Sequence, residues 1–151
     1  MIKNKISQQS EKGQSLVELT ISLVFLTILL IGVVDFGLAF FSWVAIRDAS
    51  QEGAIFGAVH PVDSNGNLNS DIETRIRSVS TTPVNLSDTS RVHVTITPGD
   101  PPCPGMPVEV LVEYDYQTIT PLVSTFVGRS DFKLRAKTVN TILTSGYASC
   151  Q

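Results

Sequence analysis

The longest run of hydrophobic residues lies near the N-terminus. Residues 19–34 carry no charge, and twelve of the sixteen are Leu, Ile, Val or Phe. On an insertion scale these twelve contribute about −4 to −7 kcal/mol towards the bilayer. A helix over residues 14–34 would be about 31 Å long, which matches the ~30 Å hydrocarbon core. Because the rest of the chain is too short to surround a helix apolar on every side, the pattern predicts a membrane span rather than a buried core helix.

The charges on either side of this span predict its orientation. Arg47 lies beyond it and is offset by Asp48 and Glu52, whereas the N-terminal side carries Lys3, Lys5 and Lys12. The positive-inside rule then places the N-terminus in the cytoplasm and residues 60–151 outside. We therefore expect a single-pass membrane protein with its head outside the cytoplasm. A secretory signal peptide fits poorly, since no small-x-small cleavage site follows the span before the aromatic residues.

The helical pattern continues past the span. Phe36, Phe40 and Trp43 recur at helical spacing, as either an aromatic belt at the outer interface or a packing stripe would. A stripe of small residues follows and would let another backbone approach closely. That backbone could belong to the head's own sheet, which we favour, or to a neighbouring helix. The members of this stripe are Ser42, Ala45, Ala49, Gly53 and Gly57.

The helix is expected to end at His60-Pro61, because proline disfavours helical geometry in the residue before it. Turn-forming residues follow over 63–67. Ser70-Asp71-Ile72-Glu73 is a capping box and predicts a short amphipathic helix. A second short helix is predicted between Thr120-Pro121 and Gly128.

Alternating apolar and polar residues predict three strands, over 92–97, 108–116 and 132–143. The solvent face of the second strand is acidic and that of the third is basic, which favours antiparallel pairing. We expect an α+β fold in which a small three-stranded antiparallel sheet packs on the distal half of the long helix. The predicted divisions are a leader over 1–13, a transmembrane and stem helix over 14–59, and a head over 60–151.

Charge and composition exclude several functions. Removing residues 1–13, with three lysines and Glu11, leaves eight basic and thirteen acidic residues, a net charge of −5. An acidic surface argues against nucleic acid as a partner. His60 and His93 have no Cys, Asp or Glu at metal-ligand spacing, and no glycine-rich loop suits a phosphate. The sequence therefore predicts no cofactor, no metal and no enzymatic activity.

Two cysteines, Cys103 and Cys150, lie far downstream of the span. If that region is outside the cytoplasm, a disulfide is permitted between them. It would stabilise the head by about 4 kcal/mol in the chain-entropy model. Two free thiols are the alternative.

The junction before the span is the informative part of the sequence. Glu18 alone could be an acid at headgroup level that marks the start of the span. The whole junction, Gly13-Gln14-Ser15-Leu16-Val17-Glu18 after a short basic leader, resembles the type IV prepilin signal. The resemblance implies that prepilin peptidase cuts between Gly13 and Gln14 and that Glu18 becomes the fifth mature residue. Glu18 would then pair with the new amino group of Gln14 on a neighbouring subunit.

Further residues narrow the resemblance. Asp35-Phe36-Gly37 and the Ala-Ser-Gln-Glu-Gly-Ala stretch over 49–54 are similar to the TadE-like family of minor pilins and pseudopilins of tight-adherence (Flp-type) systems. This implies a type IV pilin-like fold, and as partners the other pilin subunits and the pilus assembly machinery. Asp35 would have either a structural role at an interface or a role specific to assembly. The alternative function is an uncleaved, single-span binding module of the cell envelope.

Overall fold

The computed structural model describes residues 4–60, 68–100, 102–144 and 150. The predicted α+β fold is confirmed. Two compact units divide the chain, Met1–Gly37 and Leu38–Gln151, and the second is called the head unit below. The elements in chain order are α1 (Asn4–Val59), α2 (Leu68–Ser78), β1 (Val92–Pro98), β2 (Pro107–Gln117), α3 (Pro121–Val127) and β3 (Asp131–Thr141).

The first unit is the N-terminal part of α1, and its apolar side chains are exposed. Leu19, Phe25 and Leu30 are each more than 60% exposed. The most apolar window of this helix has a mean hydropathy of 2.6, and none of it is buried in the chain. By length and composition, α1 is therefore able to cross a membrane, as the apolar run predicts.

The head unit contains the predicted three-stranded antiparallel sheet, and its strand order is β1-β2-β3. Val108, Val110 and Val112 of β2 are fully buried on one face. On the other face Glu113 lies opposite Arg135, and their side chains form an ion pair. The acidic strand β2 therefore pairs with the basic strand β3, as their charges predict. The register that buries the valines on one face of the sheet also places opposite charges across from each other on the other face.

The sheet packs on the part of α1 that belongs to the head unit. Ile46 and Ala49 are fully buried in the core that the sheet's inner face forms. The Ser50 and Thr138 hydroxyl oxygens are 2.8 Å apart, which links α1 to β3 inside this core. Strand β3 is held along its outer edge as well, where Trp43 Nε1 donates a hydrogen bond to the Arg135 carbonyl oxygen.

The glycines of the small-residue stripe contact α2 more closely than they contact the sheet. A Cβ on Gly53 would lie 2.5 Å from Ile76 Cγ1, and one on Gly57 would lie 2.6 Å from Ile72 Cδ1. A Cβ on Gly57 would be 3.4 Å from Val108 of the sheet. The stripe is therefore covered by the chain's own head, but the expectation that the sheet covers it is right only in part. The glycines are needed because two buried isoleucines of α2 lie against them.

Helix α2 begins at Leu68, before the predicted capping box at Ser70. Ser70 thus lies within the first turn, where its carbonyl oxygen accepts a hydrogen bond from the Thr74 hydroxyl. The predicted turn over 63–67 lies outside the described residues. On the solvent side, Arg75 donates to Glu52 of α1, so an ion pair supports the helix contact that the isoleucines make.

The C-terminal segment is fixed to the head at two levels. Ile142 N donates to the Met106 carbonyl oxygen at 2.9 Å, and Leu143 N donates to that of Ala58 at 2.8 Å. Farther along, Cys103 and Cys150 form a disulfide with a Cα–Cα distance of 5.4 Å. The disulfide closes a loop that contains β2, α3 and β3. It therefore restricts the conformations of the unfolded chain over the segments that form two of the three strands.

We predict that Gly53→Ala destabilises the head unit. The added methyl would overlap the side chain of Ile76, which is fully buried and stiff at χ1. Overpacking costs about 1–3 kcal/mol, whereas alanine regains about 1 kcal/mol of helix propensity. Denaturant unfolding of the full chain in detergent should show a net loss of about 1 kcal/mol. Gly37→Ala is the matched control because its Cβ meets nothing within 4 Å; equal stabilities of the two variants would contradict the packing described.

The double variant Cys103→Ser, Cys150→Ser should lower the free energy of unfolding by about 4 kcal/mol, because the loop between residues 47 positions apart is no longer closed. The same unfolding measurement, made on the wild type with and without dithiothreitol, provides the control. Reduction should shift the wild type towards the double variant and leave the variant unchanged. The pairing would be contradicted if dithiothreitol left the free energy of unfolding of the wild type unchanged and the two cysteines reacted with a thiol-labelling reagent without prior reduction.

Candidate functional site

The Gly13–Gln14 junction lies inside a continuous helix. Helix α1 extends back to Asn4, although the sequence reading began the helix at residue 14. Glycine lowers helix stability by about 1 kcal/mol relative to alanine, so Gly13 makes the junction a weak point of this helix. A Cβ added at Gly13 would meet nothing within 4 Å. The fold of this chain therefore gives no packing reason for the glycine.

Glu18 lies one turn beyond Gln14 on the same helix face. The Gln14 side-chain amide Nε2 donates a hydrogen bond of 3.2 Å to Glu18 Oε1. The apolar neighbours Leu16, Val17 and Leu19 are 65%, 59% and 64% exposed. The carboxylate is thus carried on a surface that is otherwise hydrophobic, and its partner is a neutral amide.

Two threonines of this surface are satisfied by the helix itself. Thr20 and Thr27 donate their hydroxyls to the carbonyl oxygens of Leu16 and Leu23, each at 2.8 Å. Bonds of this kind let threonine lie in an apolar environment without an external partner. Glu18 differs from them because a carboxylate cannot be satisfied by carbonyl oxygens.

Asp35, the second candidate assembly residue, is only 4% exposed. Its neighbours Val34 and Phe36 are 52% and 73% exposed. The Asp35 side chain is therefore largely covered, although the side chains on either side of it in the chain are exposed. Gly13, Gln14 and Glu18 lie within five residues of one another, and Asp35 is separated from them in the chain by the apolar run.

The aromatic residues after Asp35 divide between the two roles that the sequence allowed. Trp43 packs on the head through its hydrogen bond to the Arg135 carbonyl oxygen. Phe36 and Phe40 stay 73% and 51% exposed, as an interfacial belt would be. Phe41 does not share the helical spacing of Phe36, Phe40 and Trp43, but it is 63% exposed and adds to the same exposed aromatic surface.

The head unit contains an open cleft that sequence reasoning missed. Its volume is about 380 Å³, and Leu38 and Ser42 of α1 line it together with residues at the end of β2. Arg91 also lines it, and donates from Nε and Nη2 to the Asp115 carbonyl oxygen at 3.2 and 2.9 Å. The only sequence signal for this arginine was its place just before an alternating strand.

The turn that precedes Arg91 and β1 is stabilised by hydrogen bonds of its own. Asp88 Oδ1 accepts hydrogen bonds from the Ser90 hydroxyl at 2.6 Å and from the Ser90 N–H at 3.0 Å. These bonds hold the pKa of the Asp88 carboxyl below its ordinary value. The turn is therefore strongest above the ordinary pKa of aspartate, and its stabilisation is lost as the pH falls through the lowered pKa.

The histidines have structural neighbours. The His60 ring stacks on Phe56 at a centroid distance of 3.7 Å, and His93 Nε2 is 3.6 Å from an Asp115 carboxylate oxygen. Within the described residues, no group of three or more His, Cys, Asp or Glu side chains is arranged to hold a metal ion.

Comparison with known proteins yields one match. Residues 13–54 match the family model described as TadE-like protein. No curated protein and no solved structure matches the chain significantly. The matched segment begins at the junction glycine and includes Glu18, Asp35-Phe36-Gly37 and most of the small-residue stripe. The resemblance seen in the sequence is thus confirmed for residues 13–54, the part of the chain that the TadE-like family model matches.

Proposed function

We propose that this protein is a minor pilin or pseudopilin that prepilin peptidase cuts between Gly13 and Gln14, and that it then takes part in assembling a tight-adherence type IV pilus. The observation that carries the proposal is the surface of α1. Over residues 14–34 this surface is exposed and largely apolar, and it has one carboxylate, Glu18, which is the fifth residue after the junction. The family match over 13–54 supports the same assignment.

Before assembly, α1 anchors the chain in the inner membrane with its N-terminus in the cytoplasm and the head outside. Three lysines before the span and the acidic balance after it support this orientation. The disulfide between Cys103 and Cys150 agrees with a head on the oxidising side. Cleavage then removes the lysines that hold the N-terminus at the cytoplasmic face, and leaves the apolar helix as a stem.

In the assembled state, stems of neighbouring subunits replace lipid around α1. A carboxylate in such a bundle costs several kcal/mol unless a cation compensates it. Within the part of the uncut chain that the structure describes, the Glu18 carboxylate accepts a hydrogen bond from the neutral amide of Gln14 at 3.2 Å. Cleavage creates an α-amino group on Gln14, and this group on a neighbouring subunit supplies the missing cation. Processing and assembly are thereby coupled through one charge pair.

For Asp35 we propose a positioning role in assembly. Its carboxylate is 4% exposed, so it does not serve as a contact on the outer surface of the stem. It lies instead at the end of the apolar run, just before the head unit begins at Leu38.

The processing step is tested by sequencing the N-terminus of the protein purified from membranes of cells that possess prepilin peptidase. We expect the chain to begin at Gln14. Gly13→Leu should block the cut without disturbing the fold, since the position is open on all sides within the chain. Gly32→Leu is the control, because Gly32 is equally open and lies within the span. A wild-type chain that still begins at Met1 would refute the proposal.

The role of Glu18 is tested with three variants. Glu18→Ala and Glu18→Gln should insert into the membrane normally, yet enter pili at least about tenfold less than wild type, since one unit charge lost from a buried pair costs several kcal/mol. Gln14→Ala removes only the hydrogen bond within the chain and leaves both the carboxylate and the new amine. It should assemble normally. Quantitative blotting of sheared pili against the membrane fraction measures the ratio.

The variants also separate the competing explanations. If Glu18→Gln assembles as well as wild type, a hydrogen bond suffices and the charge pair is wrong. If Glu18→Ala is also fully functional, the protein acts as an anchored binding module and the pilin assignment is wrong.

A further inference from the structure

The cleft in the head unit combines a fixed cation with an apolar rim. Of the nine residues described as lining it, Arg91 alone carries a charge. Its volume of about 380 Å³ is within the range of small-molecule and headgroup sites. The polar side of the cleft is formed largely by side chains at the end of β2, among them Tyr114 and Gln117.

Arg91 is held in one orientation. Nε and Nη2 both donate to the Asp115 carbonyl oxygen, and the guanidinium carbon lies 5.1 Å above the Tyr114 ring centre. Neither bond uses Nη1, whose two N–H groups can donate to a further acceptor. A guanidinium that is already ordered loses little entropy on binding, and its donors suit phosphate oxygens.

Two of the lining residues are exposed and hydrophobic. Ile119, in the loop after β2, is 67% exposed, and Leu38 of α1 is 36% exposed. Leu38 is the first residue of the head unit and lies four residues after Val34, the end of the apolar run. Phe40 and Phe41, which follow Leu38 closely in the chain, are 51% and 63% exposed. Exposed apolar side chains at the end of a span, next to a cation, fit the boundary between acyl chains and headgroups.

We propose that this cleft binds the phosphate of an anionic phospholipid, with Arg91 as the cation and the exposed Ile119 side chain as an apolar contact for the same lipid. The chain after residue 13 carries a net charge of −5, so no general field attracts it to anionic lipid. Binding of an anionic lipid therefore requires a local cation, and Arg91 supplies one. The inference rests on the membrane anchoring of α1 in the proposed function, but not on cleavage or on pilus assembly.

The test is native mass spectrometry of the full chain in detergent, titrated with phosphatidylglycerol, phosphatidylcholine or glycerol 1-phosphate. Wild type should retain phosphatidylglycerol in preference to the other two. Arg91→Gln should weaken retention at least about fivefold, the effect of one charge at a membrane surface. Arg135→Gln is the matched control: it also removes one arginine, but from the outer face of the sheet, where Arg135 pairs with Glu113.

A second pair of variants does not depend on the structural bonds of Arg91. Ile119 is largely exposed, so Ile119→Asp and Ile119→Lys should both fold. Placing a charge at the rim should weaken phosphatidylglycerol binding about fivefold for aspartate and strengthen it about fivefold for lysine. Glu18→Ala should bind lipid as wild type does, so a failure of the pilin proposal remains distinguishable from a failure of this one.

Three results would overturn the inference. Equal retention of phosphatidylglycerol by wild type, Arg91→Gln and both Ile119 variants would show that the lipid binds elsewhere. Glycerol 1-phosphate bound as tightly as the lipid would show a site for soluble phosphate. Unchanged lipid retention together with reduced pilus incorporation of Arg91→Gln would show that an acidic group of a neighbouring subunit occupies the cleft.

Discussion

The uncovered apolar surface of α1 is the constraint on which the rest of this chain depends. A helix that exposes Leu19, Phe25 and Leu30 by more than 60% has no stable existence in water and must be surrounded by lipid or by other helices. Both environments have a low dielectric constant, and both make Glu18 costly unless a cation accompanies it. In the proposed function, cutting the Gly13–Gln14 junction within this helix offsets that cost, because the new amine on one subunit would pair with the Glu18 carboxylate of a neighbour.

The same helix solves a different problem in the head unit. There the apolar surface narrows to one face, and small residues bring α2 and the sheet close to the helix axis. Gly53 and Gly57 admit two buried isoleucines, while Ser50 bonds to Thr138 within the core. One helix thus serves first as a surface for outside partners and then as a scaffold for its own domain. The change occurs near Leu38, beside the proposed lipid cleft.

Much of the fold could be predicted because it depends on periodic patterns. The three strands follow from alternation alone, and the pairing of β2 with β3 follows from their opposite charges, which the local sequence displays directly. The start of α2 was predicted two residues too late, because the capping residues from Ser70 onward fit a helix start. The helix begins at Leu68, and its burial of Ile72 and Ile76 stabilises it without a start at the capping box. The partner of the glycines was assigned only in part, since a small-residue stripe does not indicate which element will fill it.

The candidate site was predictable only where it is a linear motif. Gly13, Gln14 and Glu18 stand within six consecutive residues, so their relation is visible in the sequence. The cleft brings together Leu38, Arg91 and Ile119, which are distant in the chain. Such a site depends on the three-dimensional register of β1 on β2, and no local pattern carries that information. The burial of Asp35 could not be predicted for the same reason, since it depends on the three-dimensional structure and not on a local pattern.

In the proposed assembly, the α-amino group created on Gln14 pairs with the Glu18 carboxylate of a neighbouring subunit. Zero-length carbodiimide cross-linking of assembled pili, followed by mass spectrometry, tests this pairing, since the reagent joins only amines and carboxylates already in contact. We expect an amide between the Glu18 side chain and the N-terminal amine of an adjacent subunit, absent from Gly13→Leu. Assembled, processed protein in which Glu18 remains unlinked to any N-terminal amine would contradict it.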